Sequence, residues 1–234
     1  MIWVGTSGYD YPEWRGSFYP HALPAADRLA FYAERFRTLE INSTSYRLPA
    51  ASSLRGWADG TPPDFKLALK VPRWITYADV SAAARPLRTF VERAGLLDDK
   101  LGPVLLQLPV GLARPGDDGL LKGLLDAVPG GVRAAVELRD ASWHADAVFD
   151  LLRQRGIALC ISDSEELATP VVRTAGFGYF RLRNSGYTQA DLAAWAAHLR
   201  AFDGEVFVYF KHESTGSGPR LACELLRHLG TPAE

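Results

Sequence analysis

Cysteine is scarce in this chain. Cys160 and Cys223 are the only two, set in "ALCISD" and "RLACELL" without a CxxC or paired Cys/His spacing. A zinc ribbon or a redox pair is therefore not expected, and both thiols read as small buried hydrophobes. Long apolar stretches are missing as well: no run reaches the roughly 18 residues of a membrane span. The opening "MIWVGTSGYDYPEWRG" has neither the basic region nor the apolar core of a secretion signal, so a cytoplasmic protein without a membrane partner is expected. An excess of charge of one sign is lacking too. The formal net charge of -1 gives no global basic field, which argues against a protein that coats nucleic acid nonspecifically and leaves only local patches to consider. Neither GxxxxGK[ST], GxSxG nor HExxH occurs, so a phosphate-binding P-loop, an esterase elbow and a zinc-protease helix are all without support.

What is present is ordinary globular material: 234 residues, 47% hydrophobic and 23% charged, enough for a sizeable core. Eight short apolar runs recur along it, "IWVG" (2–5), "TLEIN" (38–42), "FKLALKV" (65–71), "PVLLQL" (103–108), "RAAVEL" (133–138), "IALCIS" (157–162), "YFRLR" (179–183) and "VFVYFK" (206–211). Segments 27–36, 86–97, 119–128, 144–156, 189–202 and 220–230 carry apolar residues at helical spacing, several ending on Gly. Strands alternating with helices predict parallel strands joined by crossovers, and eight of them predict a single (β/α)8 TIM barrel spanning residues 1–234, with no linker. Between strands six and seven "SEELATPVVRTAGFG" leaves room for only a short helix or none. The competing arrangement is an open doubly wound sheet.

Side chains alternate across a strand, so one set of each strand faces the lumen and the other the helices. Aligning strands on their polar positions assigns to the lumen Trp3, Gly5 and Ser7; Glu40 and Asn42; Lys66, Ala68 and Lys70; Leu105 and Gln107; Ala135, Glu137 and Arg139; Leu159, Ile161 and Asp163; Tyr179, Arg181 and Arg183; Phe207, Tyr209 and Lys211. Each strand thus turns polar toward its C-terminal end, where barrel active sites are built. Glu40, Glu137 and Asp163 face Lys70, Arg139, Arg181, Arg183 and Lys211, with His212 beside them. That cation surplus points to an anionic ligand, with phosphate the first candidate. The Gly/Ser loops around Gly186 and Gly216 each precede a helix and add candidate phosphate amides.

Other features carry two readings each. Trp14 belongs to an aromatic-rich first loop, 8–20, whose rings either stack on a ligand or pack on one another. Trp143 and His144 follow strand five, with Ser142 as a helix cap. Glu40, Glu137, Asp163 and His212 are also the donor set a divalent metal would need, against which the adjacent cations argue; no cofactor is predicted. Lys70 or Lys211 would form a Schiff base if neighbouring cations lowered its pKa, the minor option of a carbon–carbon lyase.

The blocks "VGTSGYDYPEWRGSFYP", "LEINSTSYRLP", "KVPRWITY", "GPVLLQLP", "AVELRDASW" and "ISDS" occur in this order along nearly the whole chain, which resembles the YecE-like family, domain of unknown function number seventy-two. The resemblance implies a TIM barrel. It also implies a shared site at Glu40, Asn42, Tyr46, Arg47, Lys70, Gln107, Glu137, Arg139, Trp143 and Asp163, but no agreed reaction. A likeness to barrel phosphoesterases of the apurinic endonuclease kind is an analogy of fold. This chain departs from the family pattern with Arg183 in place of a strand-seven His and "KHE" from Lys211 to Glu213 in place of paired Asn, which makes the mouth more cationic.

The leading expectation is an enzyme, a hydrolase of a phosphate-bearing small molecule or nucleotide. Glu40, Glu137, Asp163 and His212 would serve proton transfer. Ser7, Trp14, Asn42, Tyr46, Arg47, Lys70, Gln107, Arg139, Trp143, Arg181, Arg183, Gly186, Lys211 and Gly216 would bind substrate. The alternative is a non-catalytic nucleic-acid binder in which Trp14, Tyr46 and Trp143 stack on bases. A third reading makes this ring of lumen-facing charges a neutralised salt-bridge network that supports a barrel whose function lies elsewhere.

Overall fold

A computed structural model of the chain describes residues 1–211 and 216–230, and all eight expected strands are present in it. They are β1 (Ile2–Thr6), β2 (Thr38–Ile41), β3 (Lys66–Lys70), β4 (Leu101–Gln107), β5 (Ala134–Glu137), β6 (Ala158–Asp163), β7 (Phe177–Leu182) and β8 (Glu205–Phe210). Neighbours run parallel in the order β1-β8-β7-β6-β5-β4-β3-β2, and a parallel bridge between Ser7 and Glu40 brings the two ends of that order together. The open doubly wound alternative is thereby replaced by a (β/α)8 barrel.

The seam between β1 and β2 is made in an unusual way. Eight helices are described: α1 (Arg28–Ala33), α2 (Ala51–Asp59), α3 (Arg73–Thr76), α4 (Val80–Ala94), α5 (Asp118–Asp126), α6 (Asp146–Arg155), α7 (Gln189–Ala201) and α8 (Ser217–His228). From α1, the fully buried Tyr32 pushes its phenol between the two strands, accepting the Thr6 N–H at 2.8 Å and donating to the Thr38 carbonyl at 3.1 Å. A side-chain hydroxyl thus stands inside a rung that two backbones would otherwise share. Beside it Gly5 is obligatory, because a Cβ there would fall 2.2 Å from the Thr38 oxygen.

Two apolar layers hold the barrel. One lies between the strands and the helices; α4, for example, turns Ala83, Leu87, Phe90 and Ala94 inward at helical spacing. Each such buried Leu or Phe stabilises by about 1.5–3 kcal/mol relative to exposure. The other fills the lumen with Trp3, Ala68, Leu105, Ala135, Ala158, Cys160, Phe177, Tyr179, Phe207 and Tyr209.

The lumen layer corrects one assignment. On β6 the inward set is Ala158 and Cys160, while Leu159 and Ile161 pack with the helices. Aligning that strand on its acid, Asp163, inverted its parity. Tyr179, Tyr209 and Phe207 crowd the lumen, and small residues are what fit opposite them, whereas the larger aliphatics suit the helix side.

No helix joins β6 to β7, as the short intervening sequence predicts. Instead Thr174 Oγ1 accepts the Leu159 N–H at 2.7 Å and donates to the Ile157 carbonyl at 2.8 Å, pinning the connection along the strand. Two helices escaped the sequence reading, α2 and α3. In "ASSLRGWAD" only Leu54 is buried, so periodicity gives no signal, and Lys100 Nζ bonds the Thr61 carbonyl at 2.6 Å just beyond its end.

Candidate functional site

Arg181 on β7 is the centre of the barrel mouth and is wholly buried. One side of its guanidinium donates to Glu40 of β2 at 3.0 Å and the other to Glu137 of β5 at 2.5 Å. Burial opposes its charge, but the two carboxylates outweigh it and hold Arg181 well above the ordinary guanidinium value. Glu137 has the complementary arrangement. Burial alone would raise it, yet Arg181, Arg183 and a hydrogen bond from Gln107 bring the carboxyl down to about 2.

Neither acid has an idle oxygen. Glu40 Oε1 accepts from Ser7 Oγ and Arg181, and Oε2 accepts from the Tyr179 hydroxyl at 2.6 Å. Glu137 Oε2 accepts from Gln107 and Arg181, and Oε1 lies 3.4 Å from Arg183. Both side chains are therefore counter-ions to arginine, locked in place by hydroxyl and amide donors.

Lys70, at the end of β3, is differently placed. It is buried to 7% exposure and donates to Gln107 Oε1 at 2.7 Å, and among the described residues it has no carboxylate partner. The orientation of Gln107 is fixed from its other end: a carboxylate only accepts, so Gln107 turns its amide nitrogen to Glu137 at 2.9 Å and its oxygen to Lys70. Burial and the charge of Arg181 lower Lys70 to about 8; Glu40 and Glu137 resist this and Lys211 adds to it.

Lys70 borders a cleft of about 390 Å³, also lined by Tyr11, Asn42, Tyr46, Trp57 and Lys211. Asn42 Nδ2 donates to Ser7 Oγ at 2.8 Å, which ties the cleft floor to the Glu40 ring. A second cleft of about 350 Å³ lies over β5 to β7 and is lined by Glu137, Arg139, Ser162, Ser164 and Arg183. The chain Lys70–Gln107–Glu137–Arg183 runs beneath both.

The structure therefore gathers Ser7, Glu40, Asn42, Lys70, Gln107, Glu137, Arg181 and Arg183 into one hydrogen-bonded group, with Tyr46 and Lys211 on one cleft and Arg139 on the other. Other expected residues lie elsewhere. Asp163 points out of the lumen, accepting from the Tyr187 hydroxyl at 2.7 Å in a side cleft that Gly186 and Asp191 also line. There the Gly186 amide bonds Asn184, and the Thr188–Asp191 capping box engages the amides of Thr188 and Asp191 at the start of α7, so these three amides are taken by the protein's own groups. Without Asp163, the four-donor metal set does not assemble.

Trp14 and Trp143 are 1% and 0% exposed. Trp14 packs on Tyr11, Phe18 and Tyr19, and Trp143 donates to the Leu112 carbonyl at 2.9 Å, so neither ring is open for stacking. Arg47 lines a separate depression with Leu48 and Pro49. Gly216 begins α8 at φ 65°, where a Cβ would meet Ser17 of the first loop. His212 lies outside the described residues. Sequence reasoning missed Tyr179 as a ligand of Glu40 and Ser162 as a cleft residue; the two-residue spacing of Tyr179 from Arg181 was a usable signal, whereas Ser162 was hidden by the inverted parity of β6.

The sequence profile of the family described as Protein of unknown function DUF72 matches residues 3–234. The UPF0759 protein YecE of Escherichia coli (strain K12) is 29% identical over 170 residues, 70% of this chain, and the match spans 60% of that relative's length. A crystal structure of a DUF72 family protein from Thermotoga maritima superposes with a TM-score of 0.85 at 24% identity, covering 98% of this chain and 99% of that one. A second, from Enterococcus faecalis, gives 0.81 at 17% identity, covering 100% and 97%. Both show the fold.

Proposed function

Since this chain belongs to the DUF72 family, which brings a barrel but no assigned reaction, we propose from its mouth an enzyme acting on a small phosphate-bearing anion, with Lys70 as its reactive amine. The observation that carries this reading is the buried Lys70 amine, bordering a 390 Å³ cleft beside Lys211 with an amide oxygen rather than a carboxylate as its partner. A hydrolase built on Glu40 or Glu137 would need a carboxylate able to take a proton. Glu137, held at about 2, is a poor base, and the oxygens of Glu40 are taken by Ser7, Arg181 and Tyr179, whereas an amine at about 8 is matched to neutral solution. Asp163 and His212 carry no part of the proposal. The nucleic-acid alternative loses two of its three stacking rings, Trp14 and Trp143, to the core.

Inorganic phosphate at millimolar concentration, against chloride of equal ionic strength, tests the anion. The expected result is a rise in Tm of a few degrees that Lys211→Ala abolishes and Lys70→Met reduces. A Tm insensitive to phosphate overturns the reading.

A further inference from the structure

We propose that Lys70 is a carbonyl-reacting nucleophile, and that the substrate is a small phosphate-bearing aldehyde or ketone captured on its amine as an iminium. This deepens the reading above and rests on it for the anion. Three features of the geometry carry it. The amine borders open space, since Lys70 lines the cleft of about 390 Å³. Its partner, Gln107, offers an oxygen that takes a single N–H at 2.7 Å, which leaves the nitrogen lone pair of the neutral amine unengaged. Gln107 cannot turn over and occupy that lone pair with its own N–H, because Glu137 holds its amide nitrogen at 2.9 Å.

Glu137 is in turn fixed by Arg181. The Arg181 ion-pair group thus acts on the lysine through one amide. Gln107 is a positioning residue, and its identity decides the outcome: a carboxylate at this position would pair with Lys70 and keep it an ammonium. The charged groups around Lys70 and its cleft are Glu40 from β2, Glu137 from β5, Arg181 from β7, Lys211 beyond β8 and, on the first loop, Asp10, which is ion-paired with Arg28. The lowered affinity of Lys70 for a proton agrees with this placement. Lys211, on the same cleft, is the group placed to hold the phosphate.

The chemistry balances without an oxidant or metal. The Lys70 lone pair attacks the carbonyl carbon while an N–H proton moves to the carbonyl oxygen, giving a carbinolamine. One further proton from solvent lets that oxygen leave as water, and the C=N⁺ bond remains. Proton abstraction next to such a cation, or cleavage of the adjacent carbon–carbon bond, is the class of reaction it makes accessible.

The test is reductive trapping at pH 7.5 with cyanoborohydride and glycolaldehyde phosphate, read residue by residue in peptide mass spectra. Expected is Lys70 occupancy at least about tenfold above that of the exposed Lys122, greater for glycolaldehyde phosphate than for glycolaldehyde, and suppressed by inorganic phosphate. Lys70→Met should remove the labelled peptide while keeping a cooperative melt. Gln107→Glu should suppress Lys70 labelling at pH 7.5 and restore it near pH 10. Labelling of Lys70 no stronger than that of Lys122, or labelling concentrated on Lys211, overturns the proposal. Equal labelling of Gln107→Glu and wild type at pH 7.5 overturns the part given to Gln107. A phosphate-dependent Tm with no Lys70 adduct would remove the carbonyl chemistry and leave the anion site standing. An adduct without any phosphate effect would do the reverse.

Discussion

Replacing Glu137 by Gln removes a charge that two arginines face, one of them fully buried. Breaking such a pair costs about 3–5 kcal/mol because the remaining ion stays uncompensated in the interior. Urea unfolding of Glu137→Gln should show a loss of that size. The pH dependence has a definite sign. The Glu137 carboxyl lies at about 2 in the folded chain against an ordinary 4.5, so its contribution is complete above 4.5 and disappears as pH falls through 2. The mutant should lack that part of the acid limb. Lys70 acts on the alkaline side. Its folded value of about 8 lies below the ordinary 10.5, so the folded state binds fewer protons between those values and stability rises with pH across that window. Thermal melts from pH 7 to 10 should therefore rise more steeply in wild type than in Lys70→Met, by on the order of 2 kcal/mol.

At the scale of elements, the corrected face of β6 makes a contrast. Ile161 packs among the helices, so Ile161→Ala should cost about 2–4 kcal/mol through the cavity it leaves. Asp163→Asn lies outside the ring and should leave both the phosphate shift and the stability of Arg181's neighbours unchanged, which melts with and without phosphate would show. All eight strands were legible because β-branched, aliphatic and aromatic residues recur in short bounded runs, and β4 and β5 declared their lumen sides by ending in Gln107 and Glu137. The face of β6 was not legible, since its only charged residue, Asp163, points away from the lumen and the small Ala158 and Cys160 give no polarity cue. The short helix α2 hid for a related reason: with only Leu54 buried, nothing repeats. Which acid meets which cation was beyond the sequence too. It depends on Arg181 reaching across the lumen to β2 and β5 at once, a matter of radius rather than order.

For the whole molecule, the positive groups at the mouth form a local feature on a chain of net charge -1, and two of its large rings are locked into the core. A short oligonucleotide should accordingly show no measurable binding at low salt in fluorescence anisotropy, where a real nucleic-acid groove would bind most tightly. One rung of the closing seam, beside the Ser7–Glu40 bridge, depends on a single phenol. Tyr32→Phe leaves the Thr6 N–H and the Thr38 carbonyl buried without their partner, about 1–3 kcal/mol for each group, and chemical denaturation should register it. Because that phenol belongs to α1 rather than to a strand, the Thr6–Thr38 rung of the seam holds only while the first helix is docked. Deuterium uptake at the Thr6 amide is then a gauge of that docking. In a chain where α1 lifts away, Thr6 should exchange well ahead of Ser7, whose amide is held by the Phe210 carbonyl of β8.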